Sequence, residues 1–162
     1  MKKLLLILPL LLTSNLAFAK IQIVSEKKVD DLVEESLKSH QRLMVVVFAK
    51  WCSWCKVEEP LLVEAQKRLG DKVRIVEIDI DKSKDLKQVV RALPTQVVVL
   101  GIDEDQKPIF IRHEGAFQSV DEILKMFDTK IEDVKKQNDS EETGSTSNKS
   151  DGRVEYTVQD RR

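Results

Sequence analysis

Two cysteines, Cys52 and Cys55, stand at the junction between two segments of opposite character. Before them, residues 43–49 form an apolar, β-branched run that reads as a buried strand. After them, residues 57–70 read as a helix. Val57, Leu61, Leu62, Ala65 and Leu69 are expected on its inner face, and Gly70 suits a C-terminal cap. The first cysteine is therefore expected where a strand turns into a helix N-terminus. Unpaired backbone N–H groups and the positive end of the helix dipole favour a thiolate there. The thiolate is the species that attacks a disulfide. Cys52 reads as the exposed nucleophile and Cys55, one turn further in, as the buried resolving thiol. A two-residue spacer lets the pair close a small disulfide ring and carry two electrons.

Two plainer readings compete. A CxxC pair is also half of many zinc sites, but the chain has two cysteines in all, and its two histidines, His40 and His113, stand at no ligand spacing. A staple that only stabilises the fold is the other reading. So short a loop restricts the unfolded chain little, which weighs against it. No metal or cofactor is expected.

The N-terminal residues 1–19 read as a cleavable signal peptide. Lys2 and Lys3 are its basic start, residues 4–12 its apolar core, and Ala17-Phe18-Ala19 its small-x-small cleavage site. The apolar run is short for a bilayer span, so no lasting membrane insertion is expected after cleavage. Export with cleavage after Ala19 is expected, and the shortness of the signal points to a bacterial periplasm. Residues 20–136 are long enough for one core. Residues 137–162 form a polar tail expected to be disordered. Its end, residues 153–158, alternates and either adds a strand to a partner's sheet or is a loose terminus. A formal net charge of −1 gives no electrostatic case for nucleic acid.

Within the domain the pattern alternates between the two periodicities. Residues 20–24 suit an edge strand and residues 25–40 an amphipathic helix. Residues 73–81 suit a second central strand, and residues 82–91 a polar helix. Leu93-Pro94-Thr95 makes a turn into a strand at residues 96–100. Residues 103–107 make a hairpin and residues 108–112 an edge strand, where proline is tolerated. Ser119 with Glu122 is a capping box opening a last helix, with Val120, Ile123, Leu124, Phe127 and Ile131 inward.

This order, with Trp51 before the first cysteine, Lys56 after the second, Pro60 inside the helix, Leu93-Pro94-Thr95 and Gly115-Ala116, resembles the thioredoxin superfamily over residues 24–134. The resemblance implies an α/β thioredoxin fold, a central mixed β-sheet flanked by helices. It implies a cis Pro94 lying against the CxxC pair, and a substrate peptide held by Trp51, Trp54, Leu93, Pro94 and Thr95. Thioredoxins carry a buried acid on the central strand, and the matching position here is Val46. Glu77, on the neighbouring strand, either replaces that acid as a catalytic group or is only a partly buried strand acid. Ser53-Trp54 replaces the family's Gly-Pro. Strong oxidants of the family tend to have His before the second cysteine. Its absence points to a couple nearer thioredoxin, at about −270 mV, than DsbA, at about −120 mV.

Signal, single domain and motif together resemble the small periplasmic Dsb-type thiol:disulfide oxidoreductases, which include the C-terminal domain of DsbD and chlamydial DsbH. That likeness implies a monomeric reductase of periplasmic protein disulfides. An inner-membrane electron donor of DsbD type would re-reduce it. Alternatives are a disulfide-forming oxidase or isomerase, and an adaptor or chaperone that binds unfolded peptide on the same surface.

Overall fold

The computed structural model describes residues 20–104 and 106–134. The segments expected to be a signal peptide, a polar tail and its alternating end lie outside the described residues. The principal strands and helices follow in order: β1 Gln22–Ile23, α1 Val29–Ser39, β2 Arg42–Phe48, α2 Ser53–Leu69, β3 Val73–Asp79, α3 Leu86–Val89, β4 Thr95–Ile102, β5 Pro108–Glu114 and α4 Val120–Asp128. The five strands form one mixed sheet in the order β1-β3-β2-β4-β5. β1, β3 and β2 run parallel, and β4 and β5 are antiparallel to their neighbours. This is the thioredoxin fold implied by the motifs.

β2 is the central strand and is buried on both faces, which explains its unbroken apolar run. Leu43 and Val45 pack with Leu32 and Val33 of α1 on one side. Met44 and Val46 pack with Leu62 and Ala65 of α2 and Ile123 and Phe127 of α4 on the other. A single strand thus supplies both cores, and its C-terminal end delivers the chain directly to Cys52.

The departures have local causes. The strand expected through residue 81 ends at Asp79, whose side chain accepts a hydrogen bond from Asp81 N and starts a 3₁₀ turn over Ile80–Lys82. The helix expected over residues 82–91 shrinks to the four residues of α3. Two of its four residues are polar and none is buried, so little packing holds a longer helix. α4 stops at Asp128, where Thr129 leaves helical geometry. Ile131 therefore lies beyond α4, still packed on the larger core and against Gly101. Ser119 caps α4 as expected, accepting from Glu122 N, while the Glu122 carboxylate accepts from Gln118 N, one residue earlier than a capping box requires.

Val57 is the clearest correction. It is 55% exposed, while the buried stripe of α2 runs Cys55, Glu58, Leu62, Ala65. Successive steps of three and four residues follow one face of a helix. That face begins at Cys55, so the charged Glu58 is carried inward and the apolar Val57 outward.

Candidate active site

Cys52 is the N-cap of α2, in extended conformation, and its Sγ accepts a hydrogen bond from Cys55 N at 3.1 Å. Cys52 N in turn donates to Ala49 O, which closes the turn leaving β2. The two sulfurs are joined in a disulfide with the Cα atoms 5.4 Å apart, inside the usual range for such a bridge. Ser53-Trp54 thus opens a seventeen-residue helix whose first-turn Cys55 N–H points at Cys52 Sγ, with the other N-terminal N–H groups close behind it in the chain. When the bridge opens, those groups favour the anionic form of that sulfur.

The expected contrast in exposure is absent: Cys52 is 6% and Cys55 8% exposed. In the bridged form the two sulfurs shield each other, and Val47, Ala49, Ile80 and Leu93 pack around them. The asymmetry is one of direction. Cys52 lines a shallow groove of about 420 Å³ together with Trp51, Trp54, Ile80, Asp81 and Leu93, and Cys55 does not.

The groove walls come from three loops. Trp51 is 68% exposed, and its Nε1 donates to Asp81 Oδ2 at 2.9 Å, tying it to the turn after β3. Asp81 also faces Lys87 Nζ at 3.7 Å. Trp54 is 58% exposed and, with Val57, extends an apolar surface beside the disulfide. The opposite wall is the Leu93–Pro94 turn, whose peptide bond is cis. Pro94 is buried and Leu93 is half-buried against the disulfide cluster. Thr95 Oγ1 donates to Ala92 O, and Gly115 N donates to Pro94 O at 2.8 Å. Of the five expected substrate-contacting residues, Trp51, Trp54 and Leu93 line the groove with Cys52, whereas Pro94 and Thr95 are buried and do not line it, Thr95 facing the turn from the start of β4.

Across the sheet runs a row that is polar except at its centre strand. Register across the sheet aligns Glu77 on β3, Val46 on β2, Gln96 on β4 and His113 on β5. Directly paired residues share a face of the sheet, and Val46 faces α2, so the row does too. Glu77 is buried within β3, and burial pushes its carboxyl up to about 7, with Glu59 and Glu58 adding and Lys20 opposing. Glu58 hangs over the row from α2. It is fully buried, and burial pushes it up to about 7 against hydrogen bonds from Phe117 N and Gln96.

Glu58, Gln96 and Asp81 were not singled out in the sequence. For Glu58 the signal was present, since it lies three residues after Cys55 on the face that Leu62 and Ala65 continue. For Asp81 nothing local marks the bond to Trp51.

Comparisons with known proteins agree with this geometry. The thioredoxin family model matches residues 20–136. The chloroplastic thioredoxin Y of Oryza sativa is 28% identical over 120 residues, 72% of this chain and 68% of that protein. The thioredoxin of Rickettsia bellii is 36% identical over 76 residues, 46% of this chain and 70% of that protein. Among solved structures, the oxidised mitochondrial thioredoxin 3 of Saccharomyces cerevisiae is similar with a TM-score of 0.52 and 28% identity, over 69% of this chain and 98% of that one.

Proposed function

This chain belongs to the thioredoxin family, whose members with a redox CxxC are disulfide oxidoreductases, and we propose that it works as an exported reductase of protein disulfides. The observation that carries this reading is the Cys52–Cys55 bridge at the start of α2, with Cys52 alone of the pair facing a groove walled by Trp51, Trp54 and Leu93. In the reduced enzyme the Cys52 thiolate attacks one sulfur of a substrate disulfide. The other substrate sulfur leaves as a thiolate, and a mixed disulfide forms. Cys55, as thiolate, then attacks Cys52 Sγ. The second substrate sulfur leaves, and Cys52–Cys55 is oxidised. Two electrons pass to the substrate, and an external dithiol must return them.

The reductive direction is supported by Trp54, which stands where a charged His would hold Cys52 as a thiolate and favour the reduced enzyme. Export is supported by the basic start, apolar core and Ala-Phe-Ala site of residues 1–19. An exported domain of this size needs a reductant delivered through the membrane, so an inner-membrane dithiol donor of DsbD type is the partner proposed. Its substrates would be periplasmic proteins carrying disulfides, met by a monomer through the groove.

Trapping in the periplasm tests the assignment. Cys55→Ala should accumulate covalent adducts with substrate proteins, because the first attack proceeds and resolution does not. Cys52→Ala should accumulate none. Adducts on Cys52→Ala alone would reverse the roles, and no adducts on either would remove the enzymatic reading. In that last case, peptide binding through the exposed Trp51, Trp54 and Val57 surface would favour a chaperone or adaptor.

A further inference from the structure

The pairing of Glu58 with Gln96 is incomplete in a specific way. Gln96 Nε2 donates to Glu58 Oε1 at 2.5 Å and to Gly115 O at 3.1 Å, and Phe117 N donates to the same Glu58 Oε1 at 3.0 Å. The contacts of Nε2 with two acceptors fix the orientation of the Gln96 amide. What remains without a partner among the described residues is the other oxygen of each group, Glu58 Oε2 and Gln96 Oε1. Both are acceptors if Glu58 is a carboxylate. Each would then be a buried polar atom left unsatisfied, a costly arrangement. One proton on Oε2 removes both deficits, because a carboxylic acid and a primary amide form a planar ring of two hydrogen bonds. In that ring Oε2–H donates to Gln96 Oε1 and Nε2–H donates to Glu58 Oε1.

We propose that Glu58 is a positioning residue that works as a neutral carboxylic acid: paired with Gln96, it ties the CxxC helix to the Pro94 loop and holds the substrate groove in shape. The connection is continuous. α2 carries both Cys55 and Glu58. Gln96 lies two residues after Pro94 and holds Gly115 O, and Gly115 N holds Pro94 O. Phe117 N fastens the following segment to the same carboxyl. Ionisation of Glu58 breaks the acid-to-amide bond and sets a carboxylate oxygen against the amide oxygen.

The groups around it favour the neutral form. β3 presents Glu77, whose own charge would oppose a second one. α2 adds Glu59, whose charge acts on Glu77, and Cys55, one turn away, is held in the disulfide. β5 offers His113, stacked on Phe117 at 4.3 Å between ring centres. Burial pushes this imidazole below its usual value, which keeps a cation away, although Glu122 and Glu114 act in the other direction. α4 closes the site with Ile123 and Phe127. Burial raises the Glu58 carboxyl to about 7, so the pair would persist at mildly acidic pH and open above neutrality.

Two readings on the full chain test this. The first is a carbon-13 NMR titration of the glutamate carboxyl carbons, with the Glu58 signal assigned by its loss in Glu58→Gln. The expected result is a carboxyl still neutral at pH 6. A midpoint at the ordinary glutamate value of about 4.3 would overturn the proposal. The second uses the Cys55→Ala background and compares mixed-disulfide formation on a protein disulfide with alkylation by iodoacetamide. The ratio cancels the ionisation of Cys52. It should fall several-fold between pH 6 and pH 8.5 with Glu58 and stay level in Glu58→Gln, whose amide keeps both ring bonds. The same fall in both, or no fall in either, would overturn the positioning role. This second reading rests on the oxidoreductase function. If no protein disulfide reacts at all, that function fails, while the NMR midpoint still decides the state of Glu58.

Discussion

Cys52 and Cys55 have nearly equal burial and the same helix, yet different chemistry is assigned to them. The difference comes from their surroundings. Cys52 Sγ sits at the end of α2, where Cys55 N points at it, and it borders the groove. Cys55 packs against Val47 and Ala49 of the chain leaving β2, and Val46, just before them, is paired with Glu77 on one side and Gln96 on the other. A valine at the centre of that row cannot accept a proton, so resolution needs another base or water. Glu77 is the nearest neighbour of Val46 on β3 and is buried with a raised carboxyl value near neutrality, the range in which general bases work best. Glu77→Gln should therefore slow resolution of a Cys52-linked mixed disulfide by about 10²-fold or more, with the first attack by Cys52 nearly unaffected. Rapid-mixing kinetics of the two steps separate them. An unchanged resolution rate across neutral pH would leave the water-assisted route.

The elements bring these side chains together from far apart in the chain, and the loops between them carry the strained geometry. Gly115 has φ of 100° and fixes Pro94 through its N–H, with nothing within 4 Å of where a Cβ would stand. Gly115→Ala thus meets no clash and is penalised through the backbone alone, by about 1–3 kcal/mol. Urea denaturation should show the lower midpoint with an unchanged slope. The elements themselves were largely legible in the sequence, because β2 is a continuous apolar run and α1 and α4 keep a clear helical stripe. α2 was harder. Counting apolar residues put Val57 inside, whereas the face is set by where the disulfide must sit, and that turns Glu58 inward. α3 and the end of β3 were misjudged because Asp79 caps a 3₁₀ turn through its own side chain, a local bond that outweighs the strand pattern. That Cys52, Trp54 and Leu93 line one groove was in keeping with the motif. The Glu58–Gln96 contact did not, since it joins residues 38 positions apart.

For the molecule as a whole, two buried acids give stability a distinctive pH dependence. Glu58 and Glu77 move from the usual 4.5 in the unfolded chain to about 7 in the fold. The folded state therefore binds more protons between these values. The stability they contribute is fully present below about pH 4.5 and is lost as pH rises through about 7. Tm should fall by several degrees between pH 5 and pH 8, and Glu58→Gln and Glu77→Gln should each flatten part of that fall. A Tm that rises over the same interval would mean that neither carboxyl is neutral in the native state.

Direction of electron flow remains the property on which the proposed function stands, and it is set by how far the fold favours the dithiol over the disulfide. Trp54 supplies bulk and an N–H but no charge to stabilise the Cys52 thiolate, so the disulfide form should be comparatively favoured. Equilibration of the protein with glutathione buffers, read by alkylation of Cys52 and Cys55, gives the potential directly. A value close to that of thioredoxin, about −270 mV, is the expected result. A value close to about −120 mV, where DsbA lies, would contradict the account and make the protein an oxidant.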